Sequence, residues 1–203
     1  PTDNFGIRPL PNLEAKFVAA NTLISLDKKD STLFDTPEIL AQKEELKIAK
    51  HKIFGAKTVK TKRKYEEAIN RIRQEIAELL HSMGAIGESE VSVLASWDMF
   101  DQNATSPFFD PEWMFGIKDG FDIVIGNPPY IDSETMVKVM PDEREVYSKS
   151  FKCAKGNWDI FIVFIEQALR LCSTSGVYSF IIPNKIIAAK YAKVAKQSNP
   201  ENE

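Results

Sequence analysis

The stretch Phe121-Asp122-Ile123-Val124-Ile125-Gly126-Asn127-Pro128-Pro129-Tyr130 opens as a brief apolar run and stops at two prolines. The run is too short for a helix, and proline offers no backbone N–H to continue one. A residue ahead of proline is pushed toward extended backbone. The reading is a buried strand over 121–126 that empties into a turn. Downstream, Asp159 to Leu171 reads as an apolar helix closed by Thr174-Ser175-Gly176, and Val177 to Ile182 as a second strand stopped by Pro183. Two strands joined through a helix are expected to run parallel, with a right-handed crossover. Between them, residues 131–157 read as polar loop or mixed segment. Residues 186–196 read as a helix with Lys190, Lys193 and Lys196 along one face, and the tail from Gln197 as frayed.

Upstream of the deciding stretch, residues 88–118 are less regular and aromatic and read as packed loop and short helix, with Trp97 and Trp113 read as core. Residues 38–82 are charged and helical. Tyr65, Ile69, Ile72, Ile76 and Leu79 recur in steps of four and three, which puts them on one helix face. Gly55 divides this stretch into an αα-hairpin, and Gly84 and Gly87 end its second helix. Lys16 to Ile24 reads as a short strand running into a turn, between a proline-punctuated start and a loop at 27–37. The alternation of strands and helices indicates an α/β chain. It divides into a core segment at 1–27, a mostly helical insertion at 28–118 and a second core segment at 119–203.

The 203 residues carry a formal net charge of −3, so no global basic field marks the chain as a nucleic-acid binder. The charge is uneven, however. From Lys43 to Glu75 there are 11 basic and 5 acidic residues, a local balance of +6, and Lys57 to Lys64 contains no acid. Such a stretch suits the DNA backbone, or it is the solvated face of a helical hairpin. Two cysteines, Cys153 and Cys172, and two histidines, His51 and His81, show none of the usual zinc spacings. The two cysteines read as free thiols in a reducing cytoplasm, with Cys172 packed on the apolar helix. No apolar run has the length of a membrane span, and the first residues do not form a signal peptide.

Asn127-Pro128-Pro129-Tyr130 sits where ligands bind in open α/β sheets, at the carboxyl end of a strand. Asn and Pro are also ordinary turn residues. The chemistry they suit is attack by an aromatic amine, whose lone pair is delocalised into its ring. The Asn127 side-chain oxygen can accept one amine hydrogen and the Pro128 carbonyl the other. Two acceptors out of the ring plane favour a pyramidal nitrogen and free its lone pair. Pro129 helps to hold the loop before substrate arrives, and Tyr130 can stack on a base.

These residues carry a resemblance. Phe121 to Ile131 resembles the catalytic motif of amino-methyltransferases that use S-adenosylmethionine. More narrowly, it resembles the N6-adenine DNA methyltransferases of the type IIG restriction-modification and TaqI-type families. Phe115-Gly116-Ile117, Asn157-Trp158-Asp159-Ile160-Phe161 through Ala168, and Gly176 to Pro183 are similar to neighbouring segments of that family. Residues 16–24 resemble the strand whose end holds the cofactor's adenine. The resemblance implies a partial Rossmann-like methyltransferase sheet with a helical insertion, and a flipped adenine of double-stranded DNA at Asn127, Pro128, Pro129 and Tyr130. It implies S-adenosylmethionine held by Asn21 and Asn127. The family often has Asp at the Asn21 position, and Asn offers a single carbonyl acceptor in its place.

The family's glycine-rich cofactor loop has no counterpart here, since the nine glycines form no GxG pattern. The target-recognition domain is also unmatched. The expectation is a piece of a larger enzyme, inactive alone and completed by a polypeptide that supplies the N-terminal half and the target-recognition domain. Two other readings stay open: an amine methyltransferase acting on a protein glutamine or an RNA base, and a catalytically silent binding subunit.

Overall fold

Thr36 caps a helix that Pro37 opens at its first position, where a missing N–H costs nothing. This is α1, Pro37–Phe54. In the computed structural model, which describes residues 12–25, 36–101 and 103–184, it belongs to the first of two units. These are Pro1–Gly116 and Ile117–Glu203. The expected loop at 27–37 and helix at 186–196 lie largely or wholly outside the described residues.

In the first unit, α1 packs along α2, Val59–Ser82, as an antiparallel pair. Gly55 is the C-cap of α1 and Thr58 the N-cap of α2, accepting from the Thr61 N–H. The hairpin read from the sequence is therefore present. Gln42 near the start of α1 bonds Glu75 near the end of α2 at 3.1 Å. Ile69, Ile72 and Ile76 are fully buried, together with Ile39 and Ile53 from α1. Gly84, at φ +72°, follows the end of α2, whereas Gly87 is the N-cap of a third helix, α3, Glu88–Ser96.

The region expected to be packed loop and short helix thus holds two short helices, α3 and α4, Pro111–Phe115, and also a two-residue strand. That strand, β2, Thr105–Ser106, pairs in parallel with β1, Ala19–Ala20. Of the short strand running into a turn expected over 16–24, the strand is the two residues of β1, preceded by a 3-10 turn at Leu13–Lys16, and the turn follows at Asn21.

The core of this unit contains two cations. The Lys50 ammonium donates to the carbonyls of Trp113 at 2.7 Å and Met114 at 2.9 Å, which are left free at the end of the short α4. Arg73 donates to the Leu94 carbonyl of α3 and lies over the rings of Trp97 and Trp113. Burial, then the charges of Arg73 and Lys16, push the Lys50 ammonium down to about 7, against an upward pull from Asp110. α1, α2, α3 and α4 are joined through these two side chains. Trp97 and Trp113 are buried, as their sequence context suggested.

In the second unit, β3, Phe121–Gly126, pairs in parallel with β4, Cys172–Phe180, from Phe121↔Cys172 to Gly126↔Phe180. α7, Ile160–Leu171, connects them and packs on both. Parallel pairing through a helix is the arrangement expected. The helix ends at Leu171, as expected, but strand follows it directly: Thr174, Ser175 and Gly176 lie inside β4, and Cys172 is its first residue, half-buried rather than packed on the helix. The stretch expected to be polar loop or mixed segment contains α5, Ser133–Val139, and α6, Pro141–Ser150. Among the described residues, the chain is α/β with two short parallel sheets, each of two strands. Among the described residues, no helix is long and apolar enough to cross a membrane.

Two glycines permit the β3–β4 approach. Gly120 has φ +86°, and a Cβ there would lie 2.6 Å from the Ser173 backbone nitrogen. At Gly176 a Cβ would lie 2.6 Å from the Phe121 carbonyl oxygen, beside the register shift between Phe121 and Ile123. Neither approach leaves room for a side chain.

Candidate active site

The parallel register delivers Gly126 opposite Phe180, and the ladder continues one step as the Ile181 N–H donates to the Gly126 carbonyl at 3.1 Å. Asn127, Pro128, Pro129 and Tyr130 therefore leave β3 from a strand end that is still paired. Pro128 is buried, while Asn127, Pro129 and Tyr130 are exposed. The far side of the loop is held as well, because the Ile160 N–H at the start of α7 donates to the Ile131 carbonyl at 3.0 Å. Next, the Asp132 carboxylate accepts from the Thr135 N–H and caps α5.

Within the loop, the Tyr130 hydroxyl lies 2.9 Å from Asn127 Oδ1 and 2.9 Å from the Ile181 carbonyl oxygen. A hydroxyl has one proton, so the two oxygens share one donor. The contact ties the side chain that begins the loop to the one that ends it, and both to the end of β4. Asn127 Oδ1 keeps a second lone pair for another donor. The Tyr130 ring is 54% exposed.

In the segment leading into α7, Trp158 is almost fully buried. Arg144 of α6 lies over its ring at 5.1 Å and donates to the Gly156 carbonyl and the Ser133 hydroxyl. Nearby, Glu166 of α7 accepts from the backbone N–H groups of Lys152 and Cys153 and from Arg170. Burial pushes the Glu166 carboxyl up, but these bonds and one from the Cys153 thiol outweigh it and hold it below the usual carboxylate range. Burial first, and then Glu166, push the Cys153 thiol far up, so this is a packed and unreactive sulfur. Among the described residues, no group of three His, Cys, Asp or Glu side chains could hold a metal ion.

Asn21 belongs to the first unit, immediately after β1. Its N–H donates to the Ser106 carbonyl and its Oδ1 accepts from the Leu23 N–H at 3.1 Å, an Asx turn. The five residues singled out in the sequence thus fall into two groups. Asn127 to Tyr130 stand together on one loop, and Asn21 belongs to the other unit. Sequence reasoning missed the Tyr130–Asn127 hydrogen bond, although the i, i+3 spacing of a phenol and a carboxamide around two prolines could have suggested it. It also missed Arg144 as the support of Trp158, for which the sequence carries no signal.

The family model described as the Eco57I restriction-modification methylase matches residues 33–201, most of the chain. The chain belongs to the Eco57I restriction-modification methylase family. Among its curated relatives, the type II restriction enzyme and methyltransferase RM.Eco57I of Escherichia coli is 30% identical over 82 residues, which is 40% of this chain and 8% of that protein. Type II methyltransferase M.TthHB8I of Thermus thermophilus is 30% identical over 69 residues, 32% of this chain and 16% of that protein. Type II methyltransferase M.BstVI of Geobacillus stearothermophilus is 29% identical over 83 residues, 40% of this chain and 14% of that protein. The matched stretch is less than a fifth of each of these relatives.

Proposed function

We propose that the chain is the amine-activating part of an adenine-specific DNA methyltransferase. In this reading it adds a methyl group to N6 of an adenine flipped out of double-stranded DNA. The observation that carries the proposal is the loop Asn127–Tyr130, which leaves a paired strand end and is held on both sides. Asn127 Oδ1 uses its second lone pair to accept one N6 hydrogen, and the Pro128 carbonyl accepts the other. The nitrogen is drawn out of conjugation, and its lone pair turns toward the methyl donor. Tyr130 stacks on the base, a contact worth about 1–3 kcal/mol. The same two oxygens steady the nitrogen's extra proton after attack, until water removes it. No strong base is needed, because methylation itself makes that proton acidic.

The residues fit S-adenosylmethionine by their chemistry. The Asn21 carboxamide is half-buried, its Oδ1 has a lone pair beyond the one given to Leu23, and a carboxamide matches the donor–acceptor edge of adenine. When bound, that cofactor supplies an electrophilic methyl group on sulfur. Asn21 would hold its adenine, and Asn127 would orient the amine that receives the methyl.

In this reading β3, α7 and β4 form part of a Rossmann-like sheet, with residues 119–203 as its catalytic half and 28–118 as a helical insertion. The chain acts in a cytoplasmic restriction-modification system with further polypeptide, covalently joined or separate. Ile123, Ile125 and Val177 share one sheet face and are 66%, 75% and 61% exposed, an apolar surface that additional sheet or helix would cover.

The test is product analysis. The parent enzyme containing this chain is incubated with methyl-labelled S-adenosylmethionine and duplex DNA, and the digested nucleosides are separated. Label in N6-methyldeoxyadenosine is expected. Label confined to cytosine, to RNA bases or to protein glutamine would overturn the proposal.

A further inference from the structure

The basic stretch of the hairpin is resolved by the structure into paired and unpaired charges. From Leu46 to Tyr65 there is no acidic residue, and there are eight basic ones. Lys50 is buried in the core. Lys47 pairs with Glu44, Lys62 with Glu66 and Arg63 with Glu67. Lys52, Lys57, Lys60 and Lys64 remain, all exposed and none ion-paired among the described residues. They cluster where α1 ends and α2 begins. Lys60 and Lys64 are one turn apart on one face of α2, and Lys57 sits just before its Thr58 cap.

This arrangement is unfavourable for the hairpin itself. The first turn of α2 holds no acid where the helix dipole favours one, and it holds Lys60 and Lys62 instead. Four unpaired lysines at one end also repel one another. Further along the hairpin the opposite holds, since Arg71 is flanked by Glu45 and Glu75. A face that merely needed solvation would mix its charges in that way. We propose that the α1–α2 tip is a phosphate-backbone contact for double-stranded DNA, made by Lys52, Lys57, Lys60 and Lys64 and blind to sequence. It belongs to the first unit, the Asn127–Tyr130 loop to the second, and it rests on DNA being the substrate. Lysine contacts of this kind release condensed counterions, so binding weakens steeply with salt.

The experiment is fluorescence anisotropy of a labelled duplex with the whole chain, titrated across salt concentrations. The double variant Lys60→Gln/Lys64→Gln is compared with Lys152→Gln/Lys155→Gln, which removes the same charge from exposed positions in the second unit. Each lysine that no longer neutralises a phosphate should lower the slope of log affinity against log salt by about 1. A fall of about 2 is expected for the tip variant and none for the other. All four side chains are exposed, and circular dichroism checks the fold.

An unchanged slope in the tip variant, an equal fall in both variants, or tighter binding of duplex RNA would overturn the proposal. A duplex of G·C pairs separates this result from the methyltransferase reading. The tip should bind it with the same slope, while the parent enzyme should transfer no methyl group to it. Methylation of the G·C duplex with the slope effect intact would sink the adenine assignment alone.

Discussion

The Tyr130 hydroxyl stands 2.9 Å from Asn127 Oδ1, across the two prolines that separate these residues. The same hydroxyl reaches the Ile181 carbonyl at the end of β4, so the loop's first and last side chains are fixed to the neighbouring strand. The bond sets which way the Asn127 carboxamide faces.

Tyr130→Phe should therefore separate orientation from stacking. The ring remains and the hydrogen bond is removed. A hydrogen bond of this kind contributes about 1 kcal/mol, so kcat should fall roughly fivefold with KM for DNA little changed. Tyr130→Ala should also raise KM, because the stacking surface is gone. Equal effects of the two substitutions on KM in steady-state assays would rule out stacking by the ring.

The glycines differ in what they tolerate. Gly120→Ala meets both a positive φ and backbone atoms within 3 Å, and should destabilise the second unit by about 2–4 kcal/mol. Gly84 also has a positive φ but nothing within 4 Å, so Gly84→Ala should cost only about 1–2 kcal/mol. Urea unfolding of the two variants measures this, and the reverse order would contradict the close β3–β4 approach.

Lys50 predicts a pH dependence. Its folded pKa is near 7, against an ordinary value of 10.5, so between these values the unfolded chain binds the proton and the folded chain does not. Stability should rise as pH increases from about 7 to about 10, by at most about 1.4 kcal/mol per pH unit from this one group. Its contribution should be flat below that window. The neutral amine still has two N–H groups for the Trp113 and Met114 carbonyls. Lys50→Met should remove this part of the slope, measured as the difference between wild-type and variant unfolding curves. A parallel pair of curves would show that Lys50 keeps its proton throughout.

The elements that were legible in the sequence share a strong local pattern. The run at 121–126 is apolar and stopped by prolines, α7 is apolar and unbroken, and α2 repeats its isoleucines at helical spacing. What was not legible depends on partners distant in sequence. β2 is two residues long and exists only because Ala19 and Ala20 lie beside it. Gly176 resembles a helix end, but it is required inside β4 by the closeness of Phe121. Lys50 and Arg73 look like surface cations until α4 and α3 bring carbonyls and tryptophan rings to them. The helices α5 and α6 were hidden by their polarity, although Asp132 and Pro141 mark their starts. At the site, the chain itself puts Asn127 to Tyr130 on one loop, but the bond to Ile181 comes from the fold.

The most direct measurement is methyl transfer to duplex DNA by the parent enzyme carrying Asn127→Ala, with DNA affinity measured on the same preparation. The account predicts that N6-methyladenine formation is abolished, while DNA binding stays within a few-fold of wild type because the loop's backbone and Tyr130 ring remain. Methylation of adenine at a wild-type rate by this variant would contradict the account.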